Sequence, residues 1–263
     1  MTANSVFVPV RERGWRRGLG NLMRAGFAEW WGTRTWWVHA LIWTGVLNLM
    51  LLGIGLSGDS AVSADALGFV ALFGGLFPVV AVVIIMQGAI VGEKQNGTAA
   101  WIMSKPVSRT AYIVAKLVPN AAGMAIAMLL IPMIVGWAVA SLMGAGVALP
   151  RFVAGYCVVA LNMLFFLTLT VMLGAMSKRR GGVIGIALGL LFGQQYLVSA
   201  VPALSVVMPW GLCLPLGDEF SSSVATSVML GIAPPSWLPV VFAAAATVVF
   251  TAIAIWRFRR VEL

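Results

Sequence analysis

Hydrolysis of a nucleoside triphosphate needs a phosphate-binding loop in which Gly-Lys is followed by Ser or Thr. The four lysines of this sequence, Lys94, Lys105, Lys116 and Lys178, precede Gln, Pro, Leu and Arg, so any ATP must be hydrolysed by another protein. Cys157, inside an apolar block, and Cys213, in a proline-rich stretch, lack metal-ligand spacing and form no obvious pair. Both read as packing residues. The 14 methionines are scattered through apolar blocks without clusters, which suits adaptable packing better than copper binding. No Asp or Glu falls inside a long apolar block, whereas ion-coupled carriers generally keep an ionisable group at membrane depth. Sodium sites built from carbonyls stay open.

One serine sits in a reactive-looking context. Gly55-Leu56-Ser57-Gly58 resembles the Gly-x-Ser-Gly of rhomboid-type intramembrane proteases, which pair that serine with a histidine. The single histidine, His39, lies 18 residues away, about 27 Å along a straight helix. That is far beyond hydrogen-bond reach, so Ser57 reads as a span end and His39 as an interface or packing residue.

The elements that carry these residues are apolar. Of 263 residues, 61% are hydrophobic and 10% charged, against about 25% charged in soluble domains, and the mean hydropathy is +0.99. Spanning a bilayer takes roughly 20 apolar residues. Six blocks qualify: Trp36 to Leu56, Gly68 to Gly92, Ala111 to Met143, Phe152 to Met176, Gly182 to Val201, and Leu238 to Trp256. The expected fold is an all-α membrane protein forming one transmembrane domain over 1–263, with spans over 36–256 and a tail over 257–263. Pro119 and Pro132 are expected to kink the third span, and Lys116 to snorkel to the interface.

Residues 1–35 mix Arg11, Arg13, Arg16, Arg17, Arg24 and Arg34 with Leu22, Met23, Phe27, Trp30 and Trp31. This is the pattern of a helix lying in the membrane interface; a solvated basic tail is the alternative. A secretory signal is disfavoured by the long preceding n-region. Residues 202–237, with five prolines and much apolar surface, suit a re-entrant or surface-lying hairpin better than a free loop.

Charge placement sets the orientation. Of the 17 basic residues only Arg151 falls on the far side of a six-span topology; Lys94, Lys105, Arg109, Lys116, Lys178, Arg179, Arg180, Arg257, Arg259, Arg260 and the six N-terminal arginines share the other. The acids split evenly, Glu12, Glu29, Glu93 and Glu262 against Asp59, Asp65, Asp218 and Glu219. The positive-inside rule then places both termini in the cytoplasm of an inner (plasma) membrane protein. The basic pI of about 10.6 is thus a topology signal and implies no nucleic-acid partner; membrane lipids are the expected surroundings.

One polar stretch, residues 93–110, interrupts the apolar chain between spans two and three. Gly97 permits a turn, Thr98 can cap a short helix, Pro106 should end it near Ser104, and Ser108 can cap the third span. Trp101, Ile102 and Met103 would be wasteful on a solvated turn and suggest a docking knob or a helix resting on the membrane. The fifth span carries Gly181, Gly185, Gly189 and Gly193, one every four residues. That spacing lets two helices approach closely, although glycine is common in membrane helices generally. Gln194, Gln195 and Tyr196 follow on the same span.

Glu93-x3-Gly97-Thr98 followed by Met103-Ser104-Lys105-Pro106-Val107-Ser108-Arg109 and a new span resembles the first cytoplasmic loop of type-2 ABC exporter permeases. Ala99-Ala100 stands where that family often has an acidic residue. The resemblance implies six transmembrane helices, an N-terminal interfacial helix, a short cytoplasmic coupling helix between spans two and three, and a re-entrant outer segment between spans five and six. It also implies two ABC ATPase subunits and a second permease copy or paralogue as partners, with ATP and Mg on the ATPase and no cofactor in this chain. Glu93, Gly97, Thr98, Pro106, Ser108 and Arg109 would shape the coupling loop, with Trp101, Ile102 and Met103 entering a groove on the ATPase. The path would lie at the permease–permease interface, lined by spans two and five, with Gln87, Gln194, Gln195 and Tyr196 as its candidate residues. The competing readings are a stand-alone channel or secondary carrier and an intramembrane enzyme. Wholly apolar spans favour a lipid-like, drug-like or hydrophobic peptide cargo.

Overall fold

The computed structural model describes residues 13–56, 64–144, 146–215 and 222–260. Arg11, Glu12, Ser57, Gly58, Asp59, Asp218, Glu219 and Glu262, and the side chains of Gly55 and Asp65, lie outside the described set. Among the described residues every regular element is helical. Helix α1 (Leu19–Trp31) precedes α2 (Thr35–Leu56), and α3 (Ala64–Met86) passes through a turn into α4 (Val91–Gln95) and then α5 (Thr98–Met103). Next come α6 (Arg109–Met124), a π-helical stretch at Ala125–Leu130 and α7 (Ile131–Leu142), which run on as one rod. The long α8 (Leu149–Met176) and α9 (Arg180–Ala200), the short α10 (Trp210–Cys213) and α11 (Val224–Leu230), and α12 (Leu238–Arg259) complete the chain. Among the described residues six segments are long and apolar enough to cross a membrane, at Thr35–Gly53, Ala66–Gln95, Arg109–Leu142, Leu149–Met176, Arg180–Ala200 and Leu238–Arg259. They coincide with the six apolar blocks of the sequence.

Helix α8 forms the axis. Phe152, Tyr156, Val159, Met163, Phe166 and Val171 are buried on it, and α3, α11 and α12 pack around it. Helices α2, α9 and α12 turn much of their apolar surface outward, with Leu41, Leu49, Phe192 and Val248 exposed. In a bilayer, lipid tails cover such side chains at no cost. The segment after α9 does not form a free loop: Trp210 to Leu214 and Val224 to Ser227 are buried, and α10 and α11 pack on α3 and α8. Cys213 sits at Gly75, where a Cβ would stand 2.4 Å from that of Cys213. Cys157, by contrast, is exposed on α8.

The third span is unusually long. Its 34 residues extend about 51 Å at 1.5 Å per residue, against a hydrocarbon core of about 30 Å. Helix α1 packs along the first half of this span, α6. Gly18 meets Val107, Gly26 meets Pro119, and Gly123 meets Trp30, where a Cβ would fall 2.7, 2.8 and 2.2 Å from the facing side chain. The two numbers in each pair rise together, so α1 runs parallel to α6. Trp30 Nε1 donates to Asn120 Oδ1 at 2.9 Å, and His39 packs its ring 5.9 Å from that of Trp30. The glycine notches hold α1 alongside α6. Gly123→Ala is therefore expected to push Trp30 out and lower stability by about 1–3 kcal/mol. A fall in the thermal midpoint with a red-shifted tryptophan emission would show it.

The two prolines act unequally. Pro119 lies within α6 without ending it, while the π-helical stretch immediately precedes Pro132 near the start of α7. Proline lacks an N–H and its ring crowds the carbonyl four residues back; the wider π turn relieves that crowding. Asn48 Nδ2 on α2 donates to the Pro132 carbonyl at 3.2 Å, and glycine at 136 leaves room for Asn48 Oδ1, 2.8 Å from where a Cβ would be.

Candidate functional site

Residues 93–110 stand at the basic end of the bundle, and each flank of the stretch is tied to a different helix. At its start, Glu93 accepts from Tyr112 Oη on one carboxylate oxygen and from Lys116 Nζ on the other, both at 2.5 Å. Lys116 thus ion-pairs across to α4. Tyr112 in turn stacks on Phe258 of α12, with centroids 4.7 Å apart. Lys94 Nζ donates to the carbonyls of Gly174, Ala175 and Ser177 at 2.8, 3.2 and 2.9 Å. These are orphan acceptors at the end of α8, and a cation there also complements the helix dipole. Gln95 adds a bond to the Lys178 carbonyl at 2.9 Å.

The far flank is tied as firmly. Ser108 caps α6, accepting from Ala111 N at 2.9 Å, as its position before the span predicts. Its backbone N–H also donates to the Arg17 carbonyl at 2.9 Å, and its hydroxyl donates to the Trp15 carbonyl. Arg109 donates to the Arg259 carbonyl at 2.6 Å, closing the end of α12, and Arg259 reaches back to Thr110 Oγ1 at 2.8 Å. The stretch is therefore bonded to α6, α8, α12 and the segment leading into α1.

Between these flanks lies α5, six residues long or about 9 Å. Gly97 adopts φ 72° at its start and no side chain caps it. The expected cap by Thr98 does not form, since the helix already includes Thr98 and the left-handed glycine makes the turn. The helix ends at Met103, with Ser104 as its C-cap, next to Pro106. Of the three apolar residues singled out in the sequence, Ile102 and Met103 are half-buried and pack against the core. Only Trp101 projects, 64% exposed, with Lys105 Nζ 5.2 Å from its ring. A shallow cavity of about 210 Å³ lined by Gly18, Asn21, Leu22, Trp101, Lys105 and Val107 lies beside it.

The glutamines and glycines of the fifth span separate onto two faces. Gln194 is buried, donating to the Leu191 carbonyl at 3.2 Å while its Oε1 has no partner among the described residues. Gln195 and Tyr196 are exposed. Gly181, Gly185, Gly189 and Gly193 share the outward side with Tyr196, and nothing lies within 4 Å of a Cβ placed on any of the four. Gln87, in the turn before α4, has a buried Oε1 without a partner. Gln194 thus faces the protomer core, while Gln195 and Tyr196 face outward. The clamp by Lys94 is a feature the sequence reading missed; its only signal was a lysine placed next to Glu93 at the end of a span.

These features define a multi-pass helical membrane protein with a polar interhelix stretch tied into its bundle. The family model described as ABC-2 family transporter protein matches residues 55–263, and the chain belongs to that family. It is a membrane permease subunit of an ABC transporter. No curated protein matches the chain.

Proposed function

We propose that this permease subunit works in an ATP-driven exporter, taking its energy from two separate ATPase subunits that seat on α5. The observation that carries this is the contrast between an exposed Trp101 and flanks bonded to α6, α8, α12 and the α1 approach. A push on α5 is passed to those helices, because packed interiors move as units. Both termini and the 93–110 stretch then face the cytoplasm of the inner membrane, in keeping with the distribution of basic residues. The apolar spans favour a lipid-like, drug-like or hydrophobic peptide cargo over a strongly charged one. Co-expression with a cognate ATPase is expected to yield a complex that survives purification. Transport by the chain alone without ATP, or failure to retain any ATPase, would refute the proposal.

The second permease copy meets this one, in our reading, on the open face of α9, where four small residues leave the backbone accessible. Gly185→Leu and Gly189→Leu should each leave the protomer fold intact, since neither position has a neighbour within 4 Å. Each should lower the crosslinked dimer fraction about tenfold, or about 1.4 kcal/mol. Wild-type crosslinking in both variants would place the interface elsewhere.

A further inference from the structure

The start of α9 carries three consecutive cations, Lys178, Arg179 and Arg180, all exposed. The side chain of Arg180 is held in an unusual way. Its guanidinium lies flat over the backbone of the turn leading into α4: a Cβ at Gly92 would stand 2.6 Å from one of its nitrogens, and one at Gly88 3.8 Å away. No hydrogen bond or ion pair reaches this guanidinium among the described residues. Nearby acids do not supply a counter-charge, because Glu93 is engaged by Lys116 and Tyr112 and Glu29 lines a different cavity between α1 and α6. Lys94, bonded to the carbonyls just before Lys178, adds positive charge beside the same segment.

The height of this cluster points to its ligand. Helix α9 has 21 residues, about 31 Å, which matches the roughly 30 Å hydrocarbon core. Its first residue, Arg180, therefore stands at the level of the lipid headgroups. A planar guanidinium fixed by packing, with its donors unspent, suits bidentate capture of a phosphate. The exposed Gly181 and Gly182 leave room for a headgroup to approach.

We propose that Lys178, Arg179 and Arg180 form a binding site for the phosphate of an anionic phospholipid, with Gly88 and Gly92 as the seat that orients Arg180. The site does not depend on the ATPase partner and is tested on the purified full-length chain. Protein extracted from membranes is exchanged into mixed micelles with equal phosphatidylglycerol and phosphatidylcholine, and retained lipid is measured by native mass spectrometry. Phosphatidylglycerol should be retained in preference, and Arg180→Gln should weaken that preference about fivefold, the usual effect of one interfacial cation. Gly92→Ala, which changes no charge but displaces the guanidinium, should weaken it as well. Arg260→Gln, the same charge change at the end of α12, should do so less. The proposal fails if both lipids are retained equally, if Arg260→Gln matches Arg180→Gln, or if Gly92→Ala folds normally and retains phosphatidylglycerol as the wild type does. Displacement of the lipid by millimolar inorganic phosphate would assign the cluster to free phosphate and overturn the lipid site. Loss of ATPase retention in Arg180→Gln with lipid preference unchanged would assign it to a protein contact and overturn it too.

Discussion

Trp101→Ala is expected to abolish stable association with the ATPase while leaving the permease folded. Large aromatic side chains that enter a partner's pocket commonly account for 2 kcal/mol or more of binding, so affinity should fall at least about 30-fold. The cost to the permease itself should be small, because Trp101 is 64% exposed and the Lys105 ammonium over its ring stands 5.2 Å away. Co-purification with the ATPase and the thermal midpoint of the permease alone separate the two effects. Trp101→Phe should restore much of the association, whereas Ile102→Ala should act differently. Ile102 packs against the permease core, so its truncation should lower stability as well as coupling. If Trp101→Ala keeps wild-type association and transport, α5 is not the place where energy enters.

The spans were legible in the sequence because the signal is additive: runs of about 20 apolar residues need no knowledge of packing. The Ser108 cap was legible for a similar reason, since it depends on a residue type at one position before a helix. Other features depend on which residues meet across the bundle. The arginines and tryptophans of α1 do not reveal its neighbour, and Gly26 and Gly123, which mark the contact with α6, show no period in the sequence. Likewise Gln194 and Gln195 are adjacent letters, yet a helix turns about 100° per residue, so one faces the core and the other faces outward. Trp101, Ile102 and Met103 formed one apolar triplet in the sequence, but a helix of six residues cannot present all three on one side.

Glu93→Ala should be the most destabilising single change in the polar stretch. The carboxylate is the shared acceptor for Lys116 and Tyr112, and through the Tyr112 ring it is tied to Phe258 on α12. Removing it leaves a cation and a hydroxyl without their partner in a half-buried site. Losing one member of a fully buried pair costs about 3–5 kcal/mol; with both side chains 23% exposed, water recovers part of this, and about 2–3 kcal/mol is expected. Glu93→Gln should cost less, about 1–2 kcal/mol, because the amide oxygen still accepts from one of the two donors while the amide NH2 group takes the place of the other acceptor. A double-mutant cycle with Lys116→Ala isolates the pair: the two single effects should overlap by at least about 1 kcal/mol, beyond the roughly 0.3–0.5 kcal/mol scatter of independent sites. Thermal midpoints in detergent give the cycle, and ATPase activity of the assembled transporter gives its consequence. If Glu93 relays motion from α5 to α6 and α12, Glu93→Gln should reduce cargo-stimulated ATP hydrolysis at a temperature where the variant remains folded. If the two single effects add without overlap, the pair behaves as an exposed surface contact, and the relay must run through Arg109 and the end of α12 instead.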